Sequence, residues 1–190
     1  MGKPRLGVSA CLLGASVRYD GQHRRDAFLV DTFGPLVEWV AVCPELELGL
    51  GVPREPIRLV GPPASPRLVA EQSGIDHTAA MRAFAERRVA ELEALDLSGY
   101  VTKSDSPSCG MAQVRVWPEP VPGPRPPSVD AAPGGDGAPR REGVGAFVRV
   151  LLDRMPNLPV EEEGRLGDAE VRERFLERVF GYARWRGRPR

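Results

Sequence analysis

Asparagine occurs once in this chain of 190 residues, at Asn157, and lysine twice, at Lys3 and Lys103, so arginine supplies 24 of the 26 basic side chains (26 less the two lysines). That bias is compatible with a GC-rich genome and with the thermophile habit of shedding asparagine. Acidic and basic residues balance at a formal net charge of zero, which leaves no overall field to draw the protein to nucleic acid. No apolar run approaches the roughly 20 residues of a membrane-spanning helix. The apolar stretch Leu6–Leu13 is short and broken by Ser9, so it reads as a buried strand and not as a secretory leader, and a cytoplasmic location is expected. Cysteine is scarce as well. Three residues, Cys11, Cys43 and Cys109, are an odd number in a chain with no export signal, which argues against a disulfide framework. Three is also one short of an all-cysteine structural zinc site. The remainder, 42% hydrophobic and 27% charged, suits one soluble globular domain with a real core.

The apolar segments are short and punctuated by glycine and proline. Residues 5–11 read as a buried strand ending at Cys11, and 39–42 as a second ending at Cys43-Pro44-Glu45. Residues 27–38 have the makings of a short helix, weakened by Gly34-Pro35. Residues 57–60 and 67–70 predict a hairpin across Gly61-Pro62-Pro63. Asp76 is positioned to cap a helix running to about Leu95, with Met81, Phe84, Ala85 and Leu92 near one face. Residues 99–102 predict a third strand, which leads into Lys103-Ser104-Asp105-Ser106-Pro107-Ser108-Cys109-Gly110, and 113–117 a further one. Residues 118–142, with eight prolines and four glycines, predict a flexible loop. Helical patterning resumes at 143–154, and a last helix starts near Asp168, with Val171, Phe175, Val179 and Ala183 along one stripe. The expected organisation is a core at 1–117, the loop at 118–142, and C-terminal helices at 143–190 that complete the same domain.

Strands alternating with helices and long connections predict an α/β domain with a largely parallel, Rossmann-like sheet flanked by helices. Ligands of such sheets bind beyond the carboxyl ends of the strands. All three cysteines fall just after predicted strands, which places Cys11, Cys43 and Cys109 on one sheet edge although 32 and 66 residues separate them. Three thiols there have several uses. They can simply pack, as free cysteine often does. They can share a zinc ion completed by an outside ligand such as His23. They can hold an iron–sulfur cubane, whose fourth iron then lacks a protein ligand and is open to act as a Lewis acid.

The segments VSACLLG…VRYDG…HRRD, CPELELGLGVPREPIRLV and KSDSPSCG, in that order over residues 6–117, resemble the thiouracil desulfidase family. GLGVPREP, with LPVEEEGRL at 158–166, is similar to a subgroup that usually carries a second C-terminal domain and removes sulfur from 4-thiouridine in tRNA. The chain stops soon after residues 178–185, so a single-domain member is expected.

The resemblance implies a [4Fe–4S] cluster on Cys11, Cys43 and Cys109, with Glu45 as acid/base carboxylate and Ser106 as active-site serine. Arg18, Asp20, Lys103, Ser104 and Ser108 lie in the shared motifs and become candidates for substrate contact, although Asp20-Gly21 also suits a plain turn. Ser106 before Pro107 is equally a turn signal. The implied activity is non-redox removal of sulfur from 4-thiouridine in tRNA. The alternatives are free thiolated bases or nucleosides such as 2-thiouracil and, from another class, a non-catalytic iron–sulfur redox sensor. Arg24, Arg25, Arg54, Arg58 and Arg115 are candidates for holding RNA phosphates, and Tyr182 and Trp185 for stacking on bases or closing the last helix onto the core.

Overall fold

The computed structural model describes residues 2–119 and 137–186. In chain order the elements are β1 (Arg5–Ser9), β2 (Glu38–Val42), α1 (Pro44–Glu47), β3 (Ile57–Val60), β4 (Arg67–Ala70), α2 (Thr78–Ala94), β5 (Gly99–Thr102), β6 (Val114–Trp117), β7 (Arg140–Gly143), α3 (Ala146–Arg154), β8 (Val160–Glu162) and α4 (Ala169–Arg186). The principal sheet has the order β2-β1-β5-β8, and every pair in it is parallel. A second sheet, β4-β3-β6-β7, is mixed: the β3/β4 hairpin and the β6/β7 pair are antiparallel, and β3 lies parallel to β6. Together they make a single α/β domain, as expected, with a second sheet that the segment pattern did not separate from the first.

Alternation along the strands decides what each face meets. Leu6, Val8 and Val101 point to one side of the parallel sheet, where they pack with Leu29, Phe33, Phe175 and Val179. Val42, Tyr100 and Val160 point to the other, where they join α2, α3 and the mixed sheet through Met81, Phe84, Leu92, Phe147, Leu151, Leu59 and Val116. Position 7 must be glycine, because a Cβ there would sit 2.2 Å from the buried Tyr100 ring. Helix α4 is capped by Asp168, whose Oδ1 accepts the N–H groups of Glu170 and Val171. The Asp76 carboxylate accepts the N–H of Thr78 at the start of α2.

Several local expectations shift. Phe28–Phe33 winds as a π-helical turn and Gly34–Leu36 as a 3-10 turn, because Pro35 offers no N–H to continue an α-helix. The last helix before β8 begins at Ala146 and not at 143, since Arg140–Gly143 is a strand on β6. The proline-rich stretch thus ends in ordered pairing, and its middle, 120–136, lies outside the described residues. Among the described residues no helix is long and apolar enough to cross a membrane.

Candidate active site

The three cysteines leave the parallel sheet at its carboxyl edge. Cys11 follows β1 in a 3-10 turn closed by Gly14 at φ 96°. Cys43 follows β2 and precedes Pro44 at the first position of α1, where a missing N–H costs nothing. Cys109 stands in the loop after β5. All three line one cavity of about 490 Å³, together with Glu45, Ser106 and Ser108. Arg18, Lys103 and Ser104 line it as well, and so do Arg54 and Arg115. Asp20 is not on its wall: its carboxylate bonds Arg18 and the N–H of Gln22 around a turn with Gly21 at φ 74°, the reading that Asp-Gly itself suggests.

A chain of short hydrogen bonds runs along the cavity wall. The Ser108 hydroxyl donates to Glu45 Oε1 at 2.5 Å. Ser106 Oγ lies 3.2 Å from Ser108 Oγ, and it also accepts the N–H of Cys109 at 3.1 Å. Ser106 therefore shapes the turn before Cys109 and lines the site at once. The second Glu45 oxygen accepts from Arg54 Nε at 2.9 Å and Nη2 at 2.7 Å. The same guanidinium donates to the carbonyls of Gly51 and Val17, at 2.7 and 3.0 Å. With side chains only 6% and 13% exposed, Arg54 and Glu45 form a largely buried pair in which two guanidinium N–H groups converge on a single carboxylate oxygen.

That pair corrects one expectation. Arg54 is not a surface contact for phosphate, because its donors are spent inside the protein. Arg58 is buried too, with its guanidinium 5.6 Å from the centre of the Trp117 ring. Arg25 pairs with Asp31, and Arg115 with Asp105. Arg24 lines the cavity and has no hydrogen-bond or ion-pair partner for its side chain among the described residues. Tyr182 packs on the core and Trp185 is 60% exposed.

Lys103 is fixed within the wall. Its Nζ donates to Glu163 Oε1 at 2.6 Å and to the Ser104 carbonyl at 3.0 Å. Glu163 also accepts the N–H and the hydroxyl of Ser104. The neighbouring Glu162 accepts the N–H of Met111 at 2.8 Å. From the other side the first turn of α3 takes up the loop's carbonyls: Gly145 N–H donates to Gly110, Ala146 to Pro107 and Phe147 to Ser108. A Cβ on Gly145 would come within 2.6 Å of Ser108 backbone, so this approach requires glycine. The roles of Arg54, Glu162, Glu163 and Gly145 escaped the sequence reading. The three-glutamate run in LPVEEEGRL was a visible signal for two of them; nothing in the sequence marks Gly145.

The thiols are unpaired. Burial is the main reason that Cys11 is pushed up to about 11 and Cys109 up to about 12, and burial raises Cys43 as well. Thiolates in this cavity therefore need a strong positive charge beside them, which a bound metal group supplies. Among the described residues no three His, Cys, Asp or Glu side chains stand close enough to share one metal ion. His23 is not on the cavity wall, and its Nδ1 accepts the N–H of Arg25. His23 therefore does not complete a zinc site with these thiols. A cubane carries its protein ligands on separate iron atoms, so its thiolates need not meet at one centre, and the soft, all-sulfur donor set fits it.

Fold and site together define a class: α/β domains that present thiols, with an acid–hydroxyl chain beside them, at the ligand crevice of a parallel sheet. Within that class the chain belongs to the 2-thiouracil desulfurase family, whose model matches residues 6–163. It is 33% identical over 111 residues to the uncharacterized protein YbbK of Bacillus subtilis (strain 168), covering 54% of this chain and 71% of that protein. It also resembles the solved structure of the [4Fe-4S]-dependent thiouracil desulfidase TudS, with a TM-score of 0.63 and 30% identity over 89% of this chain and 97% of that one.

Proposed function

We propose that this protein is a [4Fe–4S]-dependent, non-redox desulfidase of thiolated pyrimidines, with the cluster held by Cys11, Cys43 and Cys109. The observation that carries the reading is the convergence, in one cavity, of three unpaired thiols with the hydrogen-bonded series Ser106, Ser108, Glu45 and Arg54. Family membership and the likeness to TudS support it.

When bound, the cluster supplies an open iron, a soft Lewis acid suited to the sulfur of a thiocarbonyl. The protein's own groups manage the proton. Arg54 occupies one oxygen of Glu45 and fixes the carboxylate, leaving Oε1 directed at Ser108. Ser106 lies one hydroxyl further on, so a proton leaving Ser106, or a water beside it, passes to Ser108 while Ser108 passes its own to Glu45. Glu45 then gives the proton up to the departing sulfur, so that both protons of the attacking water leave with it. The net change is C=S plus water giving C=O plus hydrogen sulfide, with no electron gained or lost. Lys103 and Ser104, both tied to Glu163, contribute a fixed charge and hydroxyl to the cavity wall.

The charges at the cavity support a small substrate. Arg18, Arg54, Arg115 and Lys103 already face carboxylates, which favours a neutral base or nucleoside such as 2-thiouracil over a polyanion. A second reading, 4-thiouridine in tRNA, is favoured by the GLGVPREP and LPVEEEGRL segments and by Arg24, a cation on the cavity wall that has no ion pair among the described residues. The test is oxygen-free turnover by cluster-reconstituted protein, following thiocarbonyl absorbance in 2-thiouracil, in 4-thiouridine and in whole tRNA. Loss of signal with small compounds alone supports the first reading, and loss in tRNA alone the second. No loss with any of them, on protein carrying an intact cluster, overturns the desulfidase assignment and leaves a redox sensor.

A further inference from the structure

Three consecutive glutamates that the proposed chemistry does not use span the end of β8 and the 3-10 turn after it, and two of them reach across to the loop that carries Ser106, Ser108 and Cys109. Glu163 grips the start of that loop: Oε2 accepts the N–H of Ser104 at 2.6 Å, and Oε1 accepts the Ser104 hydroxyl at 2.8 Å and Lys103 Nζ at 2.6 Å. Glu162 grips its end, where Oε1 accepts the N–H of Met111 at 2.8 Å and of Ala112 at 3.3 Å. The third carboxylate, Glu161, turns back onto the N–H of Glu162 and pairs with Arg165. The anchors stand 50 to 60 residues from their partners in the loop.

Between these grips the loop has no regular structure, and Asp105 and Gln113 adopt positive φ. Such a segment keeps its shape only where its backbone groups find partners outside it. Its carbonyls at Pro107, Ser108 and Gly110 are met by the first N–H groups of α3. Its N–H groups at Ser104, Met111 and Ala112 are met by the two glutamates. These partners come from the protein's own groups, on both sides of the loop.

We propose that Glu162 and Glu163 are positioning residues that hold the Cys109 loop in its ligand-presenting shape before the cluster is inserted. This rests on the cluster reading for its purpose, but not for its geometry. Glu162 acts only as an acceptor, so Glu162→Gln, which keeps a carbonyl oxygen, retains the grip, and Glu162→Ala releases it.

The experiment is hydrogen exchange on the full chain, with the cluster loaded and after its anaerobic removal, paired with the rate of iron release to a chelator. Expected in the cluster-free wild type are protected amides at Ser104, Met111 and Ala112. In Glu162→Ala the amides of Met111 and Ala112 exchange at least tenfold faster, and the loaded protein releases iron several-fold faster, while Glu162→Gln restores both toward wild type. Amides that are unprotected in the cluster-free wild type, or unchanged in Glu162→Ala, overturn the inference. Wild-type protein that takes up no cluster overturns the cofactor reading instead, and the exchange comparison still decides the role of Glu162.

Discussion

Ser108 donates its hydroxyl to Glu45 across 63 residues of sequence and 2.5 Å of space, and this bond ties the second cysteine motif to the third. It interposes one serine between the carboxylate and Ser106, and under the proposed chemistry Ser108 belongs to the proton path.

Replacing Ser108 by alanine should lower kcat by about 10²–10⁴, the usual worth of a general acid–base path. Glu45→Gln should cost a similar factor, and the double variant little more than either alone, because both act on one proton. Cluster absorbance should be unchanged in all three. Steady-state desulfuration with parallel visible spectra checks this; additive losses would break the relay apart.

Arg54→Met strands a buried carboxylate. Removing one partner of a buried pair typically costs about 3–5 kcal/mol, and here the carbonyls of Gly51 and Val17 also lose donors. Urea unfolding of the cluster-free protein should show a midpoint lowered accordingly. The variant that removes both charges, Arg54→Met with Glu45→Leu, should recover much of the loss while remaining inactive.

Substituting serine for Cys11, Cys43 or Cys109, one at a time, should lower iron and sulfide content after reconstitution and remove or weaken the visible charge-transfer band. A hard hydroxyl is a poor substitute for a thiolate on iron. Full cluster content in any one variant would remove that cysteine from the ligand set.

Glu55 ties the loop before β3 to the turn after β4: it accepts the Ser73 hydroxyl at 2.5 Å and the N–H groups of Ser73 and Gln72. These bonds hold its carboxyl below the ordinary value of 4.5. A depressed folded-state value means that the unfolded chain takes up the proton first as pH falls. The stabilisation is therefore complete above about pH 4.5 and is lost as pH drops through the lower folded value. Glu55→Gln should flatten the acid limb of a stability–pH curve over that window and leave neutral pH nearly untouched.

Much of this architecture was legible locally. Short β-branched runs bounded by glycine and proline located β1, β2, β5, β6 and the β3/β4 hairpin, and the spacing of Met81, Phe84, Ala85 and Leu92 located α2. The placement of cysteines just after strand ends put three thiols on one edge, because parallel strands all deliver their carboxyl ends to the same side. Strand β8 was missed: its three residues, two of them glutamate, look like surface, yet Glu161 and Glu162 are both buried, Glu162 against the Met111 and Ala112 backbone that it binds. Strand β7, Arg-Arg-Glu-Gly, was hidden in the same way by its polarity.

By itself, then, the sequence determined the parallel α/β plan and the three cysteine-bearing turns, since strand periodicity and turn chemistry are properties of neighbouring residues, while Glu45 and Ser106 were singled out only through the family resemblance. Only the tertiary structure decided that Arg54 belongs to Glu45 and not to a phosphate, that Asp20 closes a turn, and that Glu162 and Glu163 hold the Cys109 loop. Those are partnerships across nine to more than fifty residues or choices among competing acceptors, and a hydrogen bond between such groups is settled by how strands from two sheets are stacked, which no local pattern specifies.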